Sequence, residues 1–463
     1  MNFTVFFPEL ILFLTGVFIS IFSFSTKKAL LLVVVILIFL AVSLFGLPQT
    51  DLFSHNYAWD NLSLYFSLLI LISTLAACLV AYHTQLSPRI SFRRFMPWIF
   101  GISALLIFLT GAHNLLYFLA IWSLAQVLFY FFLREFDSGR AWSYLFLDLI
   151  STLVIVVGTG FLFAITGNLN LIDIKTTLVV EFFTRGSPGK VLHLGFILIT
   201  IGLISKLGLF PFYFSLGGLQ RSKSLLPYSI SSLLLRLGLL AFAIRFWQRC
   251  AIIYTDDWQF ILSTACTLSV LWGAFGLLLW KERKEWLYLD LVQLGFLAGP
   301  ISVAAFTPLS EGLFFLGSYI LGFWGLILIY AYLNYTGFDL AGALRHLRTD
   351  RLLFWALVIC VGSVIGLPAT LGFWGRYGIF SSLREAKMPF LAYSGLLASL
   401  ILAIYFGYLF IRSLLTQPVT ITRLSHPTLR VLGIICALAL LVLGLFPDFV
   451  LTLALEAAGS IPF

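Results

Sequence analysis

Apolar runs of about twenty residues recur along the whole chain, and that is the length a helix needs to cross the hydrocarbon of a bilayer. They fall approximately at 8–25, 29–47, 61–83, 95–112, 114–133, 142–166, 191–212, 226–246, 258–280, 286–305, 310–334, 352–383, 389–411 and 429–455. This pattern predicts an all-α, multi-pass integral membrane protein of about fourteen transmembrane helices. Composition points the same way. Of 463 residues, 61% are hydrophobic and 10% are charged, whereas soluble domains carry about 25% charged residues. The 48 phenylalanines suit a surface in contact with lipid, so lipids are expected partners.

A net charge of +9 raises the question of nucleic acid. Lys and Arg, however, sit in short loops between the apolar runs and form no basic stripe, which excludes that partner. Five cysteines (Cys78, Cys250, Cys266, Cys360 and Cys436) are scattered singly with no C-x-x-C pair. Neither a metal site nor an iron–sulfur centre is legible, and packing is the expected role of these thiols. No G-x-G-x-x-G segment occurs, so no NAD or flavin site is expected and no cofactor is assigned to this chain. Residues 1–7 lack a charged leader and a cleavage site, so the first apolar run is expected to be retained as a helix.

Two runs carry breakers. The stretch 352–383 is too long for one straight span and contains Gly366, Pro368, Gly372 and Gly375. It is expected to form two half-helices. The stretch 191–212 ends in Gly208 and Pro211 and is also expected to be interrupted. Broken helices at membrane depth expose backbone groups, which are tolerated where they line a cavity or pack on protein. Transporters place such breaks at their ion sites.

Counting charges along this scheme assigns eighteen Lys and Arg to loops after odd-numbered helices and seven to loops after even-numbered ones, Arg245 among the seven. The positive-inside rule then puts the odd loops on the cytoplasmic or matrix face and both termini on the outer face. Of the 28 cations, three remain, Lys206, Arg236 and Arg376, each inside an expected span. A cation in hydrocarbon costs at least ~3 kcal/mol on insertion scales, so it faces a partner or a polar interior. Snorkelling or structural pairing explains one such residue. Three, two of them near helix breaks, favour a polar conduction path. Asp148 and Asp290 are read as the only carboxylates within spans, and therefore as the available intramembrane partners.

Several motifs, taken in order, resemble the antiporter-like membrane subunits of respiratory complex I (NADH:quinone oxidoreductase), and among them the subunit 2 or N type. Phe7-Pro8-Glu9-Leu10-Ile11-Leu12 is similar to that type's opening. Gly202 to Phe212 (GLISKLGLFPF) resembles the family's broken seventh helix, and Arg283-Lys284 with Tyr288, Gly295 and Phe296 its tenth. Asp339-Leu340-Ala341-Gly342, Ser363, Gly366-Leu367-Pro368-Ala369 and Gly372-Phe373 resemble the block leading into the broken twelfth. Tyr405-Phe406-Gly407-Tyr408 with Arg412 is similar to the thirteenth.

The resemblance implies an antiporter-like inverted-repeat fold, divided here as helices 1–4 (1–112), a first repeat (113–257) and a second repeat with the C-terminal helices (258–463). It implies a proton-carrying role for Lys206, and a place beside other membrane-arm subunits in an energy-transducing membrane, bacterial cytoplasmic or mitochondrial inner. Protons and water chains are then partners, the enzyme activity belongs to the complex, and quinone binds elsewhere in it. The departures are specific. Trp122 stands where the family places a fifth-helix glutamate, and Arg236 and Arg376 stand where it places lysines. An amine can release a proton in a desolvated site, whereas a guanidinium stays charged. Arg236 and Arg376 are therefore read as fixed charges, with Asp148 as the replacement partner of Lys206. A pump switched at Lys206 and a non-pumping structural spacer both remain open. So do a monovalent cation/proton antiporter subunit and a membrane subunit of a respiratory hydrogenase or formate lyase.

Overall fold

The computed structural model describes residues 6–21, 26–47, 49–52, 55–83, 92–185, 190–214, 227, 229–279, 285–333, 340–417 and 427–461. Arg283, Lys284 and Asp339 of the motifs lie outside the described residues, as do the loop cations Arg89, Arg221, Lys223, Lys281 and Arg423.

The apolar runs become helices because long runs of Leu, Ile, Val and Phe in lipid can satisfy their backbone groups only within the segment. In order they are α1 (Phe7–Ile21), α2 (Thr26–Phe45), α3 (Asn61–His83), α4 (Phe92–Thr110), α5 (Leu115–Arg134), α6 (Ser138–Thr166), α7 (Leu171–Arg185) and α8 (Lys190–Leu207). Next comes α9 (Leu235–Arg245), extended at both ends by π-helical turns over Ile230–Leu234 and Phe246–Cys250. Then follow α10 (Thr255–Leu279), α11 (Glu285–Ile301), α12 (Phe306–Tyr332), α13 (Leu340–Leu347), α14 (Arg351–Ile365), α15 (Leu371–Glu385), α16 (Pro389–Leu415), α17 (Pro427–Leu445) and α18 (Asp448–Gly459). A small antiparallel hairpin, β1 (Thr50–Leu52) with β2 (Tyr57–Trp59), precedes α3.

Among the described residues, ten helices are long and apolar enough to cross a membrane, and three shorter apolar helices accompany them. Burial sorts them into layers. The Ile230–Cys250 segment is buried over all of its span and α12 over 94%, so these two form the centre. Only 28% of α2 and of α17 is buried; their exposed Val, Leu, Ile and Phe side chains face outward, where lipid is the natural solvent.

Several boundaries differ from the sequence expectation. The short α7 lies between the apolar runs 142–166 and 191–212, where the sequence predicts a loop. Its apolar positions Leu171, Ile174 and Leu178 are buried while Asp173 and Lys175 interrupt the run, so it is too short and too polar to register as a span. The run 429–455 divides at Phe446-Pro447 into α17 and α18, because proline supplies no N–H to continue the helical ladder. Helix α8 stops at Leu207, followed by Gly208 at φ 75. Helix α14 stops at Ile365, followed by Gly366 at φ 89, and α15 starts five residues later. Both glycines occupy the left-handed conformation that ends helices.

Two charge assignments are corrected. Arg245 is no loop residue: it is the last residue of α9 and only 1% exposed. Asp148 and Asp290 are not the only carboxylates in apolar helices either, since Glu9 lies in α1 and Glu311 in α12. A single acidic residue near the end of an apolar run leaves mean hydropathy nearly unchanged, so neither glutamate marks itself as an interior charge in the sequence.

Candidate functional site

Helices α6 and α8 approach closely because glycines line their contact. A Cβ on Gly158 would meet Ile199 at 2.8 Å and the Gly195 carbonyl at 2.9 Å, and one on Gly202 would collide with Ile155. This approach brings Ser151 and Ser205 to a 2.6 Å hydrogen bond. One position further along α8, Lys206 reaches across to α6. Its ammonium donates to Asp148 Oδ1 at 2.7 Å, to Thr152 Oγ1 at 2.7 Å and to the Asp148 carbonyl at 3.3 Å. The lysine side chain is fully buried, and it sits in the last turn of α8, where the helix dipole favours a cation.

Trp122 of α5 completes the arrangement. Its indole N–H donates to Asp148 Oδ1 at 3.2 Å, and the Lys206 ammonium lies 5.2 Å from its ring centroid. The tryptophan thus touches both members of the pair, as a donor to the anion and a π-face for the cation. A cavity of about 250 Å³ opens beside them, with Tyr144, Asp148, Ser151, Ser205 and Lys206 on its wall. It has room for several water molecules next to the only amine of the three interior cations.

Arg236 projects from α9 toward α11. Its Nη1 donates to both oxygens of Asp290, at 2.9 and 2.8 Å, and the Tyr319 hydroxyl from α12 donates to Asp290 Oδ1 at 2.8 Å. Both partners are almost completely buried. One turn along α11, Gln293 turns to a different cation. Arg376 of α15 donates to Gln293 Oε1 at 3.2 Å, to Ser399 Oγ at 2.6 Å and to the Val364 carbonyl at 2.7 Å. Its guanidinium also lies 4.4 Å from the Phe296 ring centroid. Among the described residues no carboxylate pairs with Arg376. One of its acceptors, the Val364 carbonyl, lies in the last turn of α14, where helix-end carbonyls need donors, and it also accepts from Gln293 Nε2 at 2.8 Å.

A fourth buried cation lies at the opposite end of α9. Arg245 forms a two-pronged ion pair with Asp60, Nη2 to Oδ1 at 2.6 Å and Nη1 to Oδ2 at 2.8 Å. It also donates to the Thr110 carbonyl at 2.8 Å and to Ser63 Oγ at 2.8 Å. Asp60 meanwhile accepts from the Ser63 N–H at 2.9 Å as the N-cap of α3. Burial alone would raise the Asp60 pKa, but the charge and hydrogen bonds of Arg245 more than offset it and bring it to about 2. His113, between α4 and α5, faces Arg245 and Arg249 through Nε2 and the Gly111 carbonyl through Nδ1. Burial first, then the two guanidinium charges, lower its pKa to about 3. The imidazole is neutral, with the proton on Nδ1. Sequence reading missed this cluster; its one signal was Asp60-x-x-Ser63 opening an apolar run, an N-cap pattern.

The structure therefore brings Asp148 to Lys206, and it brings Arg236 of α9 and Arg376 of α15 against neighbouring turns of α11. It brings neither arginine to the Lys206–Asp148 pair directly. Fold and site together define a polytopic helical membrane protein that holds charge in its interior. Residues 112–402 match the family described as NADH:quinone oxidoreductase/Mrp antiporter, transmembrane, and the chain belongs to that family. Relatives include NADH-quinone oxidoreductase subunit N of Methylovorus glucosotrophus, 25% identical over 416 residues, which are 86% of this chain and 83% of that protein. NAD(P)H-quinone oxidoreductase subunit 2 of Thermosynechococcus vestitus is 25% identical over 375 residues, 79% of this chain and 71% of its own. Among solved structures, a chain of respiratory complex I from Thermus thermophilus has a TM-score of 0.79 at 22% identity, covering 96% of this chain and 98% of its own. A chain of the Mrp complex from a Dietzia species has a TM-score of 0.83 at 14% identity, covering 100% and 98%. At these identities the structural likeness is one of fold.

Proposed function

We propose that this chain is a membrane-arm subunit of a proton-translocating NADH:quinone oxidoreductase, and that Lys206 is its proton-exchanging group. The relatives named as subunit N or subunit 2, matched over most of their length, support the first part. The observation that carries the second is the 2.7 Å contact of a fully buried ammonium with Asp148, beside a cavity large enough for water. Asp148 and Trp122 together fill the role of partner. Moving the carboxylate or hydrating it changes how strongly the ammonium is held, and so lets the amine take up or release a proton. Arg236 and Arg376 keep their protons and act as fixed charges that hold Asp290, Gln293 and the end of α14 in place.

On this reading the described helices make fourteen membrane crossings with both termini on the outer face. Helix α8 with its following turn is one broken crossing, α14 with α15 the other, and residues 113–257 and 258–463 hold the two inverted repeats. Redox chemistry and quinone lie in other chains of the complex, and the membrane is an energy-transducing one. The Mrp-like fold favours a second reading, a cation/proton antiporter subunit, in which the same lysine site would serve ion exchange without NADH.

The test is proton stoichiometry in vesicles holding the assembled complex. Lys206→Ala and Lys206→Arg should both lower the protons moved per NADH, since arginine keeps the charge but not the exchange. Unchanged pumping in Lys206→Arg would make the subunit a structural spacer. Sodium- or potassium-coupled proton movement without NADH would favour the antiporter reading.

A further inference from the structure

We propose that the groove between α1, α4 and α5 is a binding site for a zwitterionic aminophospholipid, its phosphate held by Arg94 and its ammonium by Glu135. The site is separate from the interior cations and does not depend on the function proposed above. The groove encloses about 450 Å³, within the range of pockets that bury a sizeable ligand. Its wall is apolar and aromatic, with Phe13 from α1, Trp98 from α4 and Leu128 from α5, as acyl chains require. Trp98 stacks on Phe131 with ring centroids 5.9 Å apart, an amphipathic aromatic of the kind that sits at headgroup level.

Polarity is confined to one end. Arg94, near the start of α4, and Glu135, just past the end of α5, both line the groove. Both are exposed, and among the described residues neither forms an ion pair. Two unlike charges at the mouth of one apolar groove match a headgroup that carries a phosphate and an amine together. An anionic headgroup without an amine would gain Arg94 but meet repulsion from Glu135. Gly101 keeps the floor of the groove clear: a Cβ there would already come within 3.2 Å of Leu128.

The full chain, stripped of lipid in detergent, is offered equimolar phosphatidylethanolamine and phosphatidylglycerol in mixed micelles, and retained lipid is identified by native mass spectrometry. One phosphatidylethanolamine should be retained, with a preference of about fivefold, the effect of one interfacial charge. Glu135→Gln should erase the preference while keeping lipid bound, and Arg94→Gln should weaken retention of both lipids. Gly101→Phe should abolish retention. Should that variant fail to fold, the exposed Glu135→Gln still decides the matter. Equal retention of the two lipids by the unaltered chain overturns the proposal and leaves only annular lipid. A neighbouring chain's helix filling the groove in the assembled complex overturns it as well.

Discussion

Asp290 and Gln293 lie one helical turn apart on α11 and hold two different cations, Arg236 from α9 and Arg376 from α15. One helix thereby links α9 to α15 through buried polar groups. Burying an ion pair contributes little net stability, but stripping one member leaves a charge that the interior cannot solvate. Asp290→Ala should therefore destabilise the protein by about 3–5 kcal/mol, read as a lower melting temperature and less assembled complex. Replacing both partners, Arg236→Met with Asp290→Leu, should recover most of that loss. A double variant no more stable than Asp290→Ala would mean that the pair is needed for more than charge balance.

The Asp60–Arg245–His113 cluster predicts acid sensitivity. Asp60 binds its proton near pH 2 in the folded chain and near 3.9 when unfolded, so the unfolded state takes up more protons between those values. His113 behaves in the same sense over a higher window. It protonates at about 3 when folded and at about 6.5 when unfolded. Stability from the histidine is complete above about pH 6.5 and is lost as pH falls toward 3; that from Asp60 is lost between about 4 and 2, and amounts to about 2 kcal/mol. Melting temperature should fall steadily from pH 7 to pH 4.5. His113→Gln should flatten that slope, whereas Asp60→Asn should lower stability throughout and leave it. A slope unaltered by His113→Gln would assign the acid sensitivity to other groups.

Much of this fold was legible because a bilayer forces a simple code: apolar runs of fixed length, cations at their ends. Lys206, Arg236 and Arg376 stood out by breaking it. Asp148 also broke it, but only packing could say which way it pointed, and the close approach of α6 and α8 decided that. Trp122 is legible in the sequence as a departure from the family pattern. Its contacts with both charges could not be read from a sequence in which tryptophan is an ordinary membrane residue. Arg245 stayed hidden because it sits at the edge of its run, where a cation usually reaches water. Its partner Asp60 is 185 residues away, a distance no local pattern spans.

Trp122 offers a test of how the lysine pair is held. Trp122→Phe keeps an aromatic face near the ammonium but removes the indole N–H that donates to Asp148. Loss of one hydrogen bond to a charged acceptor should cost about 1.5–3 kcal/mol, with proton transfer per NADH reduced less than in Lys206→Ala. Trp122→Leu also removes the π-face and should do more harm. Equal effects of phenylalanine and leucine, measured by melting and by proton uptake into vesicles, would leave the ring–ammonium contact without consequence.

The final prediction concerns a residue that carries no charge. Gly202 lets α8 lie against α6, where a Cβ would collide with Ile155 and come within 3.1 Å of the Ser151 carbonyl. Gly202→Ala must therefore push the helices apart or tilt one of them, four residues before Lys206. Proximity at the level of an ångström governs how well two groups act together, so the Lys206–Asp148 contact should lengthen and the rate of proton transfer at Lys206 should fall about tenfold or more. Because the clash is chiefly with one side chain, trimming it should relieve the strain. Gly202→Ala combined with Ile155→Ala should restore most of the activity, although Ile155→Ala alone should destabilise the chain by about 2–5 kcal/mol. The two substitutions should thus compensate each other, a coupling that a double-mutant cycle in reconstituted vesicles measures directly. If Gly202→Ala leaves proton movement untouched while melting falls, the helix contact serves stability alone, and the geometry of the Lys206–Asp148 pair is set by some other restraint.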